Sequence, residues 1–156
     1  MRQLAEAVGV QAGAIYRYFP TKQDLLASMM RAHLRHLLAR WRAVKPEGAD
    51  AVRLLAAFAR FHIRYHISRR DEVFINYMEL RSLAPEHRAA VTALRAEYEG
   101  ELRAILTRGA ESGAFRVADV AVTAMALIAM LTGVTTWWQP GGRLGPRDLE
   151  NLYADL

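Results

Sequence analysis

Apolar side chains recur every three or four residues along most of this 156-residue chain, which is the spacing of a helix face. No segment alternates apolar and polar residues over the length of a strand, and no Asn-Gly or Asp-Gly hairpin turn occurs in the sequence. The pattern therefore predicts an all-α protein.

Capping and terminating residues divide this pattern into separate helices. Thr21 and Asp24 resemble a capping box, Pro85 stands where a first-turn proline belongs, and Gly113 stands where a terminating glycine belongs. The predicted helices cover residues 4–10, 11–19, 22–44, 50–68, 71–83, 85–112, 119–138 and 146–156.

The helix predicted at 119–138 belongs to a stretch, residues 120–142, that contains no charged side chain. A run of that length meets the criterion for a membrane span, but its many Ala and Thr residues and the lack of a flanking Lys/Arg cluster argue against insertion. We instead expect this helix to be buried between the core and a partner subunit. A small membrane-associated helical protein is the more distant alternative.

Composition and charge narrow the class of protein. The chain has no cysteine, which excludes disulfides, Cys-ligated zinc and a thiol nucleophile, and its start has no apolar signal region, so we predict a cytoplasmic location. Residues 1–70 carry 13 Lys/Arg against 4 Asp/Glu, whereas residues 71–156 carry 8 against 12. Only the first half is therefore expected to meet a polyanion such as nucleic acid.

The first 22 residues have the pattern of a helix-turn-helix: a short helix ended by Gly9, a turn, and a second short helix. Small residues at the start of the second helix allow close approach to base edges, a glutamine can hydrogen-bond them, and tyrosine, arginine and lysine offer donors to phosphates. The predicted DNA-binding residues are Gln11, Ala12, Gly13, Tyr16, Arg17, Tyr18 and Lys22. Double-stranded operator DNA is the partner that they indicate.

Residues 2–26, through LAEAVGV, GAIYRYF and the KQDLL that follows, resemble the signature of the TetR family of transcriptional regulators. The resemblance implies a DNA-binding domain with its connecting helix at 1–44 and a ligand-binding and dimerisation domain at 45–156. It also implies that Gln11, Ala12, Gly13 and Tyr16 face DNA and that Tyr18 and Lys22 contact phosphates. Family members have a further helix before this motif, which we expect to be missing here.

The second half is rich in aromatic and Met residues. Core packing explains such stripes in most proteins, and a pocket for a long apolar ligand is the functional alternative. The predicted pocket residues are Phe58, Phe61, His62, Tyr65, Phe74, Tyr77, Met78, Met125, Ile128 and Trp137. The stretches at 76–88 and 131–144 resemble TetR regulators of fatty-acid and steroid catabolism, which implies an acyl-CoA or fatty acid as effector, with Arg81, Arg88 and Arg95 as candidate phosphate partners.

The sequence contains no motif of a hydrolase, phosphate-binding loop, zinc protease or dinucleotide site, so we expect no catalytic residue, cofactor or enzyme activity. His62 and His66 share a helix face, but no third ligand is spaced to join them in a metal site. Because one recognition helix contacts few base pairs, we predict a homodimer through residues 119–138 and 146–156. The function predicted is a ligand-responsive repressor. An intracellular lipid or acyl-thioester binding protein without DNA binding is the alternative.

Overall fold

A computed structural model describes residues 2–7, 9 and 11–156 of the chain, with the side chains of Arg2, Leu4, Ala5 and Ala12 outside that description. In the described part, eight α-helices and a short 3₁₀ turn follow one another without a strand, which confirms the all-α prediction. The helices are α1 (Arg2–Ala7), α2 (Ala12–Tyr18), α3 (Lys22–Val44), α4 (Ala51–Ile67), α5 (Arg70–Met78), α6 (Pro85–Glu111), α7 (Val120–Trp137) and α8 (Pro146–Ala154).

The long helix α3 begins at the predicted capping box. Thr21 Oγ1 accepts a hydrogen bond from the backbone N–H of Asp24 at 3.1 Å, and Asp24 Oδ2 accepts one from the backbone N–H of Thr21 at 3.0 Å. The side-chain hydrogen bond from Thr21 is the main reason why the pKa of the Asp24 carboxyl lies below its ordinary value. A cap of this kind stabilises a helix by about 1 kcal/mol, and it fixes where α3 starts.

The core forms where α3 and α4 pack against α6, while α4 also packs against α7 and α8. Trp41 of α3 meets the edge of Phe58 of α4, with ring centroids 5.1 Å apart, and both side chains are fully buried. Ile63, Leu102 and Val134 continue the same apolar cluster from α4 to α6 and α7. Helix α4 is therefore surrounded by other helices along most of its length.

Polar contacts between helices close this core at both ends. At the C-terminal end of α3, Trp41 Nε1 and Lys45 Nζ donate to Glu101 Oε2 at 3.3 and 2.8 Å. Burial raises the pKa of the Glu101 carboxyl, but the hydrogen bonds from Lys45 and its neighbours outweigh burial and hold it below the ordinary value. On α8, the buried carboxylate of Glu150 accepts from Arg64 of α4, with Nε at 2.9 Å from Oε1.

The helix predicted at 71–83 is shorter than the apolar pattern suggests. Helix α5 ends at Met78, and a 3₁₀ turn over Leu80–Ser82 leads to α6. The side chain of Gln23, on α3, holds this connection by donating to the carbonyl of Ser82 at 2.8 Å and accepting from the N–H of Ala84 at 3.0 Å. A tertiary contact from a distant helix therefore takes up backbone groups that a continued helix would have paired.

Helix α7 buries one side and exposes the other. Ala124, Leu131 and Val134 pack into the core, and 22% of the helix is buried. The exposed side carries small or apolar residues at helical spacing, namely Val122, Ala126, Ala129, Met130 and Trp137. Among the described helices α7 is long and apolar enough to cross a membrane by length and composition. A core helix of a soluble protein passes the same test.

Candidate functional site

The two short helices α1 and α2 are joined through a glycine turn. Gly9 has a φ of 71°, in the left-handed region that a glycine adopts without strain, and its N–H donates to the carbonyl of Glu6 at 3.2 Å. Val8 and Val10, which the sequence places around this turn, lie outside the described residues. The order of helix, glycine turn and helix is that of a helix-turn-helix.

The predicted DNA-binding residues lie on α2 and at the start of α3. Gln11 precedes α2 without capping it, and the positions described as exposed are Gln11, Gly13, Tyr16, Arg17, Tyr18 and Lys22. The side chain of Ala12 lies outside the described part. Ile15 and Phe19, expected to face the other helix of the pair, are half-buried. Helix α2 therefore presents polar and aromatic groups to solvent, where a groove of DNA could receive them.

A cavity of about 380 Å³ lies among α3, α4, α5, α6 and α7. That volume is within the range of small-molecule pockets. Its apolar wall includes Leu34 and Leu37 of α3, Leu80 of the 3₁₀ turn, and Met125 and Ile128 of α7. Its polar wall is formed by His33, His62, His66, Asn76, Tyr77, Thr92, Arg95, Tyr98 and Glu99. The cavity thus combines a mostly apolar surface with a limited set of polar groups.

Four of the ten predicted pocket residues line this cavity: His62, Tyr77, Met125 and Ile128. Three others, Phe58, Phe61 and Tyr65, turn toward α3 instead. Phe58 and Phe61 pack against Trp41, and the Tyr65 hydroxyl lies 2.9 Å from His36 Nδ1. Helical spacing identified the apolar side of α4 but did not distinguish the part that packs on α3 from the part that faces the cavity.

Phe74 and Met78 line a second, more open groove of about 1020 Å³ between α5 and α7, and both are exposed. Tyr77, Val73 and Ala129 are shared by this groove and the cavity, so the two spaces adjoin. Trp137, the tenth predicted residue, lies outside both at the exposed end of α7.

One of the three expected arginines lies beside these spaces, together with two arginines that were not expected. Arg95 lines the cavity, with its guanidinium carbon 4.6 Å from the centroid of the Tyr77 ring, whereas Arg81 and Arg88 are absent from the walls of both spaces. Arg69 and Arg70 line the second groove, and Arg70 Nε donates to the carbonyl of Thr135 at 3.1 Å. The arginine pair between two predicted helices is the sequence signal that could have revealed them.

A chain of hydrogen bonds crosses the cavity wall. His62 Nδ1 lies 3.1 Å from the Tyr98 hydroxyl, His62 Nε2 lies 3.0 Å from Thr132 Oγ1, and that oxygen lies 3.0 Å from the Tyr77 hydroxyl. Burial lowers the pKa of His62 well below its ordinary value, and the neighbouring His66 adds to the effect. The imidazole is therefore neutral at physiological pH and links four helices.

Two further histidines stand beside His62. The His66 ring stacks on the His62 ring at 3.7 Å, and burial lowers the pKa of His66 to about 3. His33 Nδ1 lies 2.8 Å from Glu72 Oε2, yet burial outweighs this contact and lowers the pKa of His33 as well. Despite this cluster, no three His, Cys, Asp or Glu side chains in the described part of the chain are placed to hold a metal ion.

Comparison with known families covers both halves of the chain. Residues 1–29 match the profile described as "Bacterial regulatory proteins, tetR family", and residues 48–156 match "Tetracyclin repressor-like, C-terminal domain". The chain belongs to the TetR family. It is accordingly a DNA-binding transcriptional regulator, and the resemblance noted in residues 2–26 is confirmed.

Individual TetR relatives match nearly the whole chain. The structure of the regulator PfmR from Thermus thermophilus is 33% identical, with a TM-score of 0.87, and the match covers 99% of this chain and 84% of that one. The HTH-type transcriptional repressor KstR2 of Rhodococcus jostii is 24% identical, over 100% of this chain and 78% of its own. The structure of AibR with isovaleryl coenzyme A and operator DNA shares the fold at 23% identity, a TM-score of 0.86, and coverage of 98% and 83%.

The buried histidines of this TetR protein predict a loss of stability in mild acid. A histidine with a depressed folded-state pKa binds a proton more readily when unfolded, so the free energy of unfolding falls as the pH drops below about 6.5 and continues to fall toward the folded-state pKa. Each such histidine contributes a slope of up to about 1.4 kcal/mol per pH unit. Urea denaturation between about pH 7 and about pH 5 measures the sum of these slopes.

The variant His66→Gln is expected to make the free energy of unfolding less dependent on pH, by the uptake of about one proton on unfolding. The reason is that it removes the group whose folded-state pKa is about 3. The unsubstituted chain, measured in parallel over the same pH range, is the reference for this pH dependence. A free energy of unfolding that does not change over this pH range would contradict the prediction.

Proposed function

We propose that this TetR protein is a cytoplasmic, homodimeric repressor that binds operator DNA through α2 and is released by a small apolar effector bound in the cavity. An acyl-CoA or a fatty acid is the suspected effector. The proposal rests mainly on α3, because this single helix carries Lys22 beside α2 and His33, Leu34 and Leu37 on the cavity wall.

DNA binding is supported by the composition and exposure of α2. Gly13 leaves room for base edges and Gln11, just before the helix, could hydrogen-bond them. Tyr16, Tyr18 and Lys22 are exposed donors that could position the protein on phosphates. The excess of positive charge in residues 1–70 provides the electrostatic attraction that most protein–DNA association requires.

Effector binding is supported by the size and lining of the cavity. Met125, Ile128 and two leucines of α3 provide flexible apolar surface for an acyl chain. Arg95 on the cavity wall, and Arg69 and Arg70 in the adjoining groove, could pair with the phosphates of a coenzyme A group. The complex of AibR with isovaleryl coenzyme A is consistent with such a ligand in this fold.

Dimer formation is supported by the exposed side of α7. Five small or apolar positions, from Val122 to Trp137, lie on this side, and the final helix α8 adds exposed Leu152. Covering these side chains with a second copy would remove them from water. It would also place two α2 helices on one DNA duplex, where half-sites lie about 34–36 Å apart.

The variant Lys22→Ala is expected to weaken binding to upstream DNA and to random duplex by a similar factor, because a phosphate contact does not depend on sequence. It should also lower the slope of log affinity against log salt by about 1. Arg116→Ala is the control, since it removes the same charge from an exposed position between α6 and α7. Gel shifts at several salt concentrations provide the measurement. Equal binding by both variants would show that Lys22 does not contact DNA.

Addition of decanoyl-CoA to the protein–DNA complex is expected to release the DNA and to raise the melting temperature of the free protein. Arg95→Ala should require about tenfold more decanoyl-CoA, because a charge-assisted contact is lost. Arg108→Ala, at the distant end of α6, is the matched control. The effector proposal fails if acyl-CoA and fatty acid both leave the melting temperature and the DNA affinity unchanged.

Met130→Lys is expected to convert a dimer to monomers, because it places a charge on the exposed side of α7. Met29→Lys is the matched control, as the two methionines are 41% and 46% exposed and Met29 lies on α3. Sedimentation velocity reports the mass of each variant, and circular dichroism reports whether it is folded. A dimer that persists in folded Met130→Lys would place the interface elsewhere.

A further inference from the structure

One corner of the cavity contains polar groups that the protein itself leaves unpaired. This acceptor corner is formed by His33 of α3, His66 of α4 and Asn76 of α5, all of which line the cavity. The rings of His33 and His66 lie 6.4 Å apart, and Asn76 follows one turn after Glu72, the partner of His33. Three helices therefore bring these polar groups together at the same end of an otherwise mostly apolar space.

Asn76 has a buried oxygen without a partner. Its side-chain Nδ2 donates to the backbone carbonyl of Glu72 at 2.9 Å, and since a carbonyl can only accept, this contact fixes the orientation of the amide. The other amide atom, Oδ1, is buried and has no hydrogen-bond partner among the residues that the structure describes, and the residue is only 4% exposed. An unpaired buried acceptor is unfavourable, so its presence in a residue of the cavity wall requires an explanation.

Both histidines of the corner present acceptors as well. His66 Nδ1 lies 2.8 Å from the carbonyl of His62 and must donate to it, which places the proton of the neutral ring on Nδ1. His33 Nδ1 likewise donates to the carboxylate of Glu72. The remaining Nε2 atom of each neutral imidazole is therefore an acceptor.

The hydrogen bonds elsewhere on the wall do not supply this corner with donors. Tyr98, His62, Thr132 and Tyr77 share four protons among three hydrogen bonds, so one proton, on one of the three hydroxyls, is left for an acceptor. None of these bonds includes Asn76 Oδ1. The cavity thus has one region that needs a donor and another that can supply one.

We propose that the acceptor corner binds a neutral hydrogen-bond donor, a hydroxyl or an amide N–H, on an otherwise apolar ligand, with Asn76 Oδ1 as its principal partner. The inference rests on the proposed effector function and narrows the class of effector. An acyl chain with neither group would fill the cavity but leave Asn76 unpaired. A ligand with such a group would satisfy it and gain affinity from a contact made out of reach of bulk water.

Pairs of ligands that differ only in the donor test this proposal. For the hydroxyl, n-decanol is compared with methyl nonyl ether, which has the same number of heavy atoms. For the amide, the N-methyl amide of nonanoic acid is compared with the N,N-dimethyl amide of octanoic acid, which also has the same number of heavy atoms. Calorimetric titration of the full chain is expected to show, in at least one pair, about tenfold tighter binding of the donor. The pair in which the donor binds more tightly shows whether the preferred donor is a hydroxyl or an amide N–H.

The variant Asn76→Leu is expected to bring the two members of that pair within about twofold, because it removes the acceptor and keeps the volume. Asn151→Leu makes the same substitution at the other asparagine, outside the cavity, and should retain the preference. If Asn76→Leu does not fold, titration of the unsubstituted protein with the two ligand pairs still tests whether a donor is preferred. Equal affinities within both pairs, no binding of any of the four ligands, or a preference that survives in folded Asn76→Leu would overturn the proposal.

The proposed function has a separate readout. Release of DNA by decanoyl-CoA together with equal affinities in both ligand pairs would retain the effector-responsive repressor and reject the donor. A clear preference for the donor, together with DNA binding that no acyl-CoA alters, would retain the acceptor corner and reject the effector.

Discussion

The cavity wall depends on the hydrogen bonds that the neutral imidazole of His62 makes to two neighbouring helices. The imidazole lies between Tyr98 of α6 and Thr132 of α7, and Thr132 in turn contacts Tyr77 of α5, so three hydrogen bonds connect four helices. A charged imidazole at this depth would need a compensating anion, and none of its hydrogen-bond partners is one. Protonation of His62 would therefore disfavour this arrangement, and its depressed pKa keeps the ring neutral at physiological pH.

Most helices of this fold could be predicted from sequence because their ends are determined locally. Thr21, Pro85 and Pro146 start helices with short-range contacts, and each start lies within one residue of its prediction. The end of α5 could not be predicted in this way. The connection that follows it is held by Gln23, which binds backbone atoms of Ser82 and Ala84 about sixty positions further along the chain, and no local pattern records such a contact.

The cavity was harder to predict than the fold for a related reason. Helical spacing shows that Phe58 and His62 both belong to the apolar side of α4, but only packing decides that Phe58 meets Trp41 while His62 faces the cavity. His33 and Asn76 were missed because tertiary packing brings Glu72 of α5 to His33 and places Asn76 in the cavity wall. The prediction of DNA-binding residues needed no such packing information, since these residues occupy one short contiguous motif, and it stays a prediction.

Helix α3 runs from the helix-turn-helix past the cavity, and it is attached to α6 at its far end. Its C-terminal end is attached to α6 by the contacts of Trp41 and Lys45 with Glu101, whereas His33 lies midway along the helix, on the cavity wall. At 1.5 Å per residue, His33 is about 12 Å from Trp41 and Lys22 about 28 Å. If α3 tilts as a rigid rod about its attached end, a displacement at the cavity is about doubled at Lys22. In the proposed dimer, an effector would need to favour only a small shift at His33 to change the separation of the two α2 helices, provided that it binds one position of α3 more tightly than the other.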